Sequence, residues 1–173
     1  LRALRREDGP VSLYLHVPFC QQLCTYCGCN TKITRKYGPV AEYADLLGRE
    51  IALVAEELPD RLAVSHIHFG GGTPNILRVD EFVLLMRRLK RAFKVSSETE
   101  IAVEIDPRHL TRDMARVMAA EGVNRVSIGV QDLNPEVQQA INRIQPLSVV
   151  EGAMEMLRDA GIGRIDLDLM YGL

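Results

Sequence analysis

The chain has 173 residues, 47% hydrophobic and 25% charged, the makeup of one globular domain with its own core rather than of a disulfide miniprotein or a disordered chain. Its 21 basic against 23 acidic residues, a net charge of -2, leave no positive excess to attract a phosphate backbone, so no nucleic-acid partner is expected. No apolar run reaches the ~20 residues that span a bilayer, and the first residues are charged rather than a signal sequence's apolar stretch, so a cytoplasmic protein without a membrane span is expected.

Residues 1–11 read as an N-terminal extension and 12–173 as one domain. A first strand is expected over 12–17, with Tyr14 and His16 on one face, running directly into a cysteine loop. Cys20, Cys24, Cys27 and Cys29 fall within ten residues, and the chain has no other cysteine. Linking such near neighbours removes little chain entropy, so metal or redox chemistry is a better reading than a disulfide scaffold. Structural zinc asks for a second, separated Cys/His pair, and a thioredoxin-like C-x-x-C at Cys24 and Cys27 leaves two cysteines unused. An iron–sulfur cluster fits best, because three or four thiolates from one short loop can wrap it. With Cys20, Cys24 and Cys27 as ligands, one iron would stay open to a substrate or cofactor. Cys29, too near Cys27 to aim at the same cluster, reads as a non-ligand beside it.

After Pro39 a helix is expected, with Ala44, Leu47, Ile51, Val54 and Leu58 on one apolar stripe. The second strand, 66–70, leads into Gly70-Gly71-Gly72-Thr73-Pro74, which is either a tight turn or bare main chain approached closely by a ligand. A second helix places Phe82, Leu85, Met86, Leu89 and Phe93 on one face, and its run Arg87, Arg88, Lys90 and Arg91 reads as a solvated surface. The third strand, 101–105, carries Glu104, which faces either a ligand at the sheet's mouth or a helix arginine. A helix from Thr111 stops at Gly122, the fourth strand covers 125–129 ahead of Gln131 and Asp132, and a helix from Ser148 stops at Gly161. The fifth strand, 164–171, alternates Asp166 and Asp168 with Ile165, Leu167 and Leu169, which puts both acids on one side. His16, His66, His68 and His109 show no metal-binding spacing and read as structural or surface residues.

Strands alternating with helices predict an α/β fold with a parallel sheet, doubly wound or a (β/α) barrel. In either, functional groups gather beyond the carboxyl ends of the strands, and the unusual residues all fall there.

Cys20-x3-Cys24-x-Tyr26-Cys27, with a glycine motif after the second strand, resembles the radical S-adenosylmethionine (SAM) enzymes. Within them the segments 14–20, 27–30, 68–74, 103–108, 127–132, 142–143 and 168–173 are similar to the N-terminal part of the oxygen-independent coproporphyrinogen III oxidase family. The resemblance implies a partial (β/α) barrel of the radical SAM type, truncated after the fifth strand and incomplete at its C-terminus. It implies a 4Fe-4S cluster on Cys20, Cys24 and Cys27, with SAM chelated to the fourth iron. Tyr14, Gly71 and Glu104 match positions that contact this SAM, Glu104 through the ribose. Tyr26, Gly72, Thr73, Gln131, Arg143 and Asp168 match those around a second SAM, and Tyr26 stands where the family often has Phe.

The implied chemistry is a 5'-deoxyadenosyl radical that takes a hydrogen from a propionate β-carbon of coproporphyrinogen III. Loss of carbon dioxide and an electron then leaves a vinyl group, and two such steps give protoporphyrinogen IX in haem biosynthesis. The expected partners are that substrate and a small electron-transfer protein as reductant, with the enzyme a monomer. A radical-SAM-like haem chaperone is the rival reading, which Gly28-Cys29-Asn30 disfavours, and a structural zinc module is a third.

Overall fold

The fold follows from the alternation of apolar strands and amphipathic helices. A computed structural model describes residue 4 and residues 8–173; of the expected extension at 1–11, residues 1–3 and 5–7 lie outside the described residues. In chain order the elements are β1 Val11–Val17, β2 Phe19–Cys20, β3 Lys32–Ile33, α1 Gly38–Glu57, β4 Val64–Gly71, α2 Val79–Ala92, β5 Glu100–Ile105, α3 Arg112–Ala120, β6 Arg125–Gln131, α4 Pro135–Ala140, α5 Leu147–Asp159 and β7 Arg164–Leu169.

The five long strands make one parallel sheet in the order β1-β4-β5-β6-β7. Spatial order equals chain order, so every crossover steps in the same direction. With right-handed connections all the helices then lie on one face. α1 meets α2, α2 meets α3 and α3 meets α5 in succession around that face. This is the wall of a partial (β/α) barrel, and it excludes the doubly wound alternative.

The strand period of two divides the residues sharply between the faces. Leu15, Val17, Ile67, Phe69, Ile101, Val103, Ile105, Val126, Ile128 and Val130 are buried. They form one core with the expected helix stripes: Ala44, Leu47 and Ile51; Phe82, Leu85, Met86 and Leu89; Met114 and Met118; Val150, Ala153 and Leu157. The concave face carries instead Tyr14, His16, His68, Glu104, Arg125, Asp166 and Asp168. At its amino-terminal edge, Arg125 binds Glu100 at 3.1 Å and Asp166 at 2.6 Å, and Arg164 binds Glu100 at 2.8 Å. Closed barrels of this kind usually fill their interior with branched aliphatic side chains; here the interior is polar and hydrogen-bonded.

The sequence-based expectations differ in several places, among them the strand ends: β1 begins at Val11, inside the expected extension, β4 spans 64–71 and β6 reaches Gln131. The two-residue pair β2/β3 and the six-residue α4 were not expected, since neither is long enough to show a period. The last strand ends at Leu169 rather than 171. The cationic run on α2 is only partly solvated: Lys90 Nζ binds Glu121 at 2.7 Å, and Arg88 lays its guanidinium over Gly48 of α1.

The end of β6 needs special support. Its pairing with β7 is irregular between Gly129 and Gln131, and Gln131 takes a left-handed φ of 69°. Gln145, fully buried, spans this kink: its Nε2 donates to Gly129 O at 3.0 Å and Val130 O at 2.6 Å, and its Oε1 accepts from Arg143 Nε at 3.1 Å. Gln138 pairs with Gln145's backbone in both directions at 3.0 Å. Gln145→Leu removes three hydrogen bonds and leaves the buried Arg143 Nε without an acceptor. We expect a loss of about 2 kcal/mol or more in chemical denaturation, with an unchanged denaturant slope.

Candidate functional site

The cysteine loop begins where β1 gives way to β2. β2 and β3 pair in parallel, Phe19 with Lys32 and Cys20 with Ile33, so the intervening loop is closed at its base. Thr34 N donates to Cys20 O at 2.9 Å and fixes the backbone of the first cysteine. All four cysteines are free thiols: Cys24 is buried, Cys20 and Cys27 are half-buried, and Cys29 is exposed.

A cavity of about 460 Å³ opens at the carboxyl ends of the strands. Its lining includes the four cysteines, Tyr26, Gly71, Gly72, Thr73, Glu104, Gln131, Arg143 and Asp168. The structure thus brings together every residue expected at the site except Tyr14. Tyr14 stands one layer deeper, stacked on His68 at 5.7 Å between ring centroids, with its hydroxyl 3.1 Å from His16 Nδ1.

The glycine strip after β4 owes its composition to the cysteine loop. A Cβ on Gly72 would come within 2.7 Å of Phe19 O and 3.0 Å of Cys20 Sγ. Gly71 has φ +116°, and a Cβ there would meet the His16 ring at 2.8 Å. The close approach anticipated from three successive glycines is therefore made by the protein's own groups. Thr73, buried next to them, donates from Oγ1 to Cys20 Sγ at 3.3 Å.

Of the two readings for Glu104, the concave one holds. Its Oε1 lies 2.7 Å from His68 Nε2, and its Oε2 accepts from Gly71 N at 3.4 Å. His68, expected to be structural, is the direct partner of this carboxylate. Asp166 and Asp168 also share the concave face, but only Asp168 reaches the cavity. Burial pushes the Asp168 carboxyl up, and the nearby charges of Glu104 and Asp166 add to this.

One buried ion cluster stands behind the cysteines. Burial alone would raise Asp106, yet its hydrogen bonds and charge contacts with Arg108 and Arg143 more than offset that and hold it below the usual carboxylate range. Arg108 binds Asp106 at 2.6 Å and Arg143 binds it at 3.3 Å. Arg143 is 8% exposed and also donates to Gly129 O at 2.7 Å and to Cys24 Sγ at 3.7 Å. Asn75 sets the backbone of Asp106 by hydrogen bonds of 3.0 Å to both its N–H and its carbonyl.

The donor set suits a cluster. Burial pushes the Cys20 thiol up, and the neighbouring Cys27, Cys24 and Asp106 add to this while the Thr73 hydrogen bond opposes it. Thiols crowded in this way ionise readily only against a cation, which coordinated iron supplies. Among the described residues no three His, Cys, Asp or Glu side chains converge on one ion position. A cluster binds each thiolate through a different iron, so its ligands are spread over its corners. Asn75 and Gln145 were not anticipated, because a polar residue whose work is to hold the main chain of others carries no periodic signal of its own; Asn142 lies in the family-like segment 142–143, which gave no role for it.

A family model for the radical SAM superfamily matches residues 14–173. An oxygen-independent coproporphyrinogen III oxidase from Bradyrhizobium diazoefficiens is 54% identical over 162 residues, 94% of this chain and 36% of that protein. One from Escherichia coli K12 is 40% identical over 169 residues, 98% of this chain and 37% of that protein. The solved structure of coproporphyrinogen III oxidase from Escherichia coli, described as a radical SAM enzyme, superposes with a TM-score of 0.88 at 40% identity, covering 95% of this chain and 38% of that one. The protein anSMEcpe with bound AdoMet shares the fold at a TM-score of 0.60 and 17% identity, over 92% of this chain and 43% of that one. The chain spans a little over a third of the length of the curated relatives it matches. It belongs to the radical SAM superfamily.

Proposed function

We propose that the chain carries the cofactor-binding part of an oxygen-independent coproporphyrinogen III oxidase, which turns two propionates of coproporphyrinogen III into vinyl groups and gives protoporphyrinogen IX. The observation that carries this reading is the single cavity in which the cysteines of one loop meet Glu104 and the glycine strip. The relatives' names supply the substrate.

Membership in the superfamily implies a 4Fe-4S cluster and SAM. Cys20, Cys24 and Cys27 are the ligands we assign, with Cys29, the most exposed of the four, left free. When bound, the cluster and SAM supply one-electron chemistry that ends in removal of a hydrogen atom from the substrate.

The chain's own part is to hold and to shield. Glu104, fixed by His68 and Gly71 N, offers its carboxylate to a ribose, and Gly71 and Tyr14 flank it. For a second SAM the candidates are Tyr26, Gly72, Thr73, Gln131, Arg143 and Asp168. Thr73 Oγ1 and the Arg143 guanidinium are already engaged by Cys20, Cys24 and Asp106, and the Tyr26 hydroxyl by Cys24, so Gln131 and Asp168 are the side chains best placed to meet it.

Each propionate must lose one β-hydrogen atom, one electron and carbon dioxide to leave a vinyl group, so an external electron acceptor completes the balance. Among the described residues no helix is long and apolar enough to cross a membrane. A cytoplasmic monomer reduced by a small electron-transfer protein completes the proposal.

Three outcomes are expected. The full-length protein, reconstituted without oxygen and supplied with SAM and a reductant, should convert coproporphyrinogen III to a divinyl product with release of carbon dioxide; SAM cleavage without that product would refute the substrate assignment. Iron analysis should show Cys24→Ser losing its cluster and Cys29→Ser keeping it, and equal loss in both would refute the ligand set. Gly72→Ala should drive Phe19 and Cys20 out of place, because the obstacle is a main-chain carbonyl, lowering both iron content and stability, the latter by about 1–3 kcal/mol.

A further inference from the structure

The first cysteine is held by strand pairing, but Cys24 has no strand beneath it. Its main chain makes only a turn, Cys27 N to Cys24 O at 3.1 Å. The loop around it is tied instead to residues 140–143, more than a hundred positions away. Thr25 N donates to Ile141 O at 3.1 Å, and Thr25 Oγ1 to Ala140 O at 3.3 Å. Asn142 makes the central pair of contacts: its Oδ1 accepts from Gln22 Nε2 at 2.6 Å, and its Nδ2 donates to Leu23 O at 2.8 Å.

Both ends of the Asn142 amide are thus spent on the two residues that precede Cys24. Leu23 O can only accept, so the assignment of amide nitrogen and oxygen is internally consistent. The backbone of Asn142 sits at φ 55°, one of two non-glycine residues with positive φ among those described. Asparagine tolerates this conformation better than most residues. The turn sends the Asn142 side chain to the loop while Arg143, next in sequence, reaches Cys24 Sγ, Gly129 O and Asp106. The left-handed turn itself closes α4, through Asn142 N to Gln139 O at 3.1 Å and Arg143 N to Gln138 O at 2.8 Å; what is directed at the loop is the side chain, which uses both ends of its amide there.

We propose that Asn142 is the positioning residue for Cys24, a two-ended clamp that keeps the second cysteine aimed at the cluster although Asn142 touches no sulfur itself. This rests on the three-cysteine ligand set proposed above. The clamp governs how long the cluster is retained, because transient opening of the loop exposes the Cys24 corner first.

The test uses the full-length protein reconstituted anaerobically and challenged with an iron chelator, with the loss of iron–sulfur absorption followed in time. Asn142→Gly keeps the left-handed backbone and removes both hydrogen bonds; it should load a full cluster and lose it about ten-fold faster than the wild type. Asn142→Ala should lose it at least as fast and also unfold at a lower temperature, since alanine is strained at this φ. Gln22→Ala should fall between wild type and Asn142→Gly, and combining the two should be no faster than Asn142→Gly alone. A wild-type rate of cluster loss in Asn142→Gly overturns the proposal, whatever happens to its unfolding temperature. Full cluster retention in Cys24→Ser would overturn the ligand set and the clamp with it, so the two failures are read on different variants.

Discussion

The structure turns on the contact between two loops that follow neighbouring strands. The turn after β4 lies directly against the cysteine loop after β1, with Gly72 so near Phe19 O and Cys20 Sγ that no side chain fits between them. This contact exists because β1 and β4 are parallel neighbours in register, His16 beside Gly70 and Val17 beside Gly71. A parallel sheet delivers the ends of adjacent strands to the same edge, and a glycine at the contact lets their main chains touch. Thr73 then adds a hydrogen bond to the sulfur. The first cysteine is set by sheet geometry.

The rest of the site is arranged around that contact by charge. Asp106 and Arg143 are both nearly inaccessible, and with Arg108 they form a cluster of two cations on one carboxylate behind Cys24. A lone buried charge would be costly, whereas a paired one with its hydrogen bonds satisfied is tolerable. Among the described residues no buried side-chain nitrogen or oxygen lacks a partner. The polar concave face follows the same rule: His68 with Glu104, and Glu100 with Arg125 and Arg164. The interior of this wall is suited to charged and hydroxylated ligands because most of its own charges are already matched, with Asp168 left at the cavity's edge.

Much of this was legible in the sequence, for identifiable reasons. The helices declared themselves because Phe82, Leu85, Met86 and Leu89 recur at helical spacing, and the strands because polar residues alternate with Ile67 and Phe69 or with Val126 and Ile128. Placing Glu104, Gln131 and Asp168 at the site needed only the rule that strand ends gather there. The choice between a doubly wound sheet and a barrel was not legible, since strand order is a long-range property that periodicity does not encode. Neither was the reason for the glycines: close approach of a ligand was the first reading and a tight turn the second, whereas it is the cysteine loop that rests on them. The role of Asn142 escaped because its reach to Gln22 and Leu23 arises from tertiary contacts alone. His68 was undervalued for a related reason, as its partner Glu104 sits on the next strand.

We propose that three thiols of one loop hold a cluster and leave a single iron open to SAM. Mössbauer spectroscopy of the reconstituted full-length protein, with and without SAM, tests it most directly. The account predicts that one iron of the four changes its spectrum when SAM is added while three keep theirs, and that this response is unaltered in Cys29→Ser. Four irons that all ignore SAM, each already capped by a side chain, would contradict it.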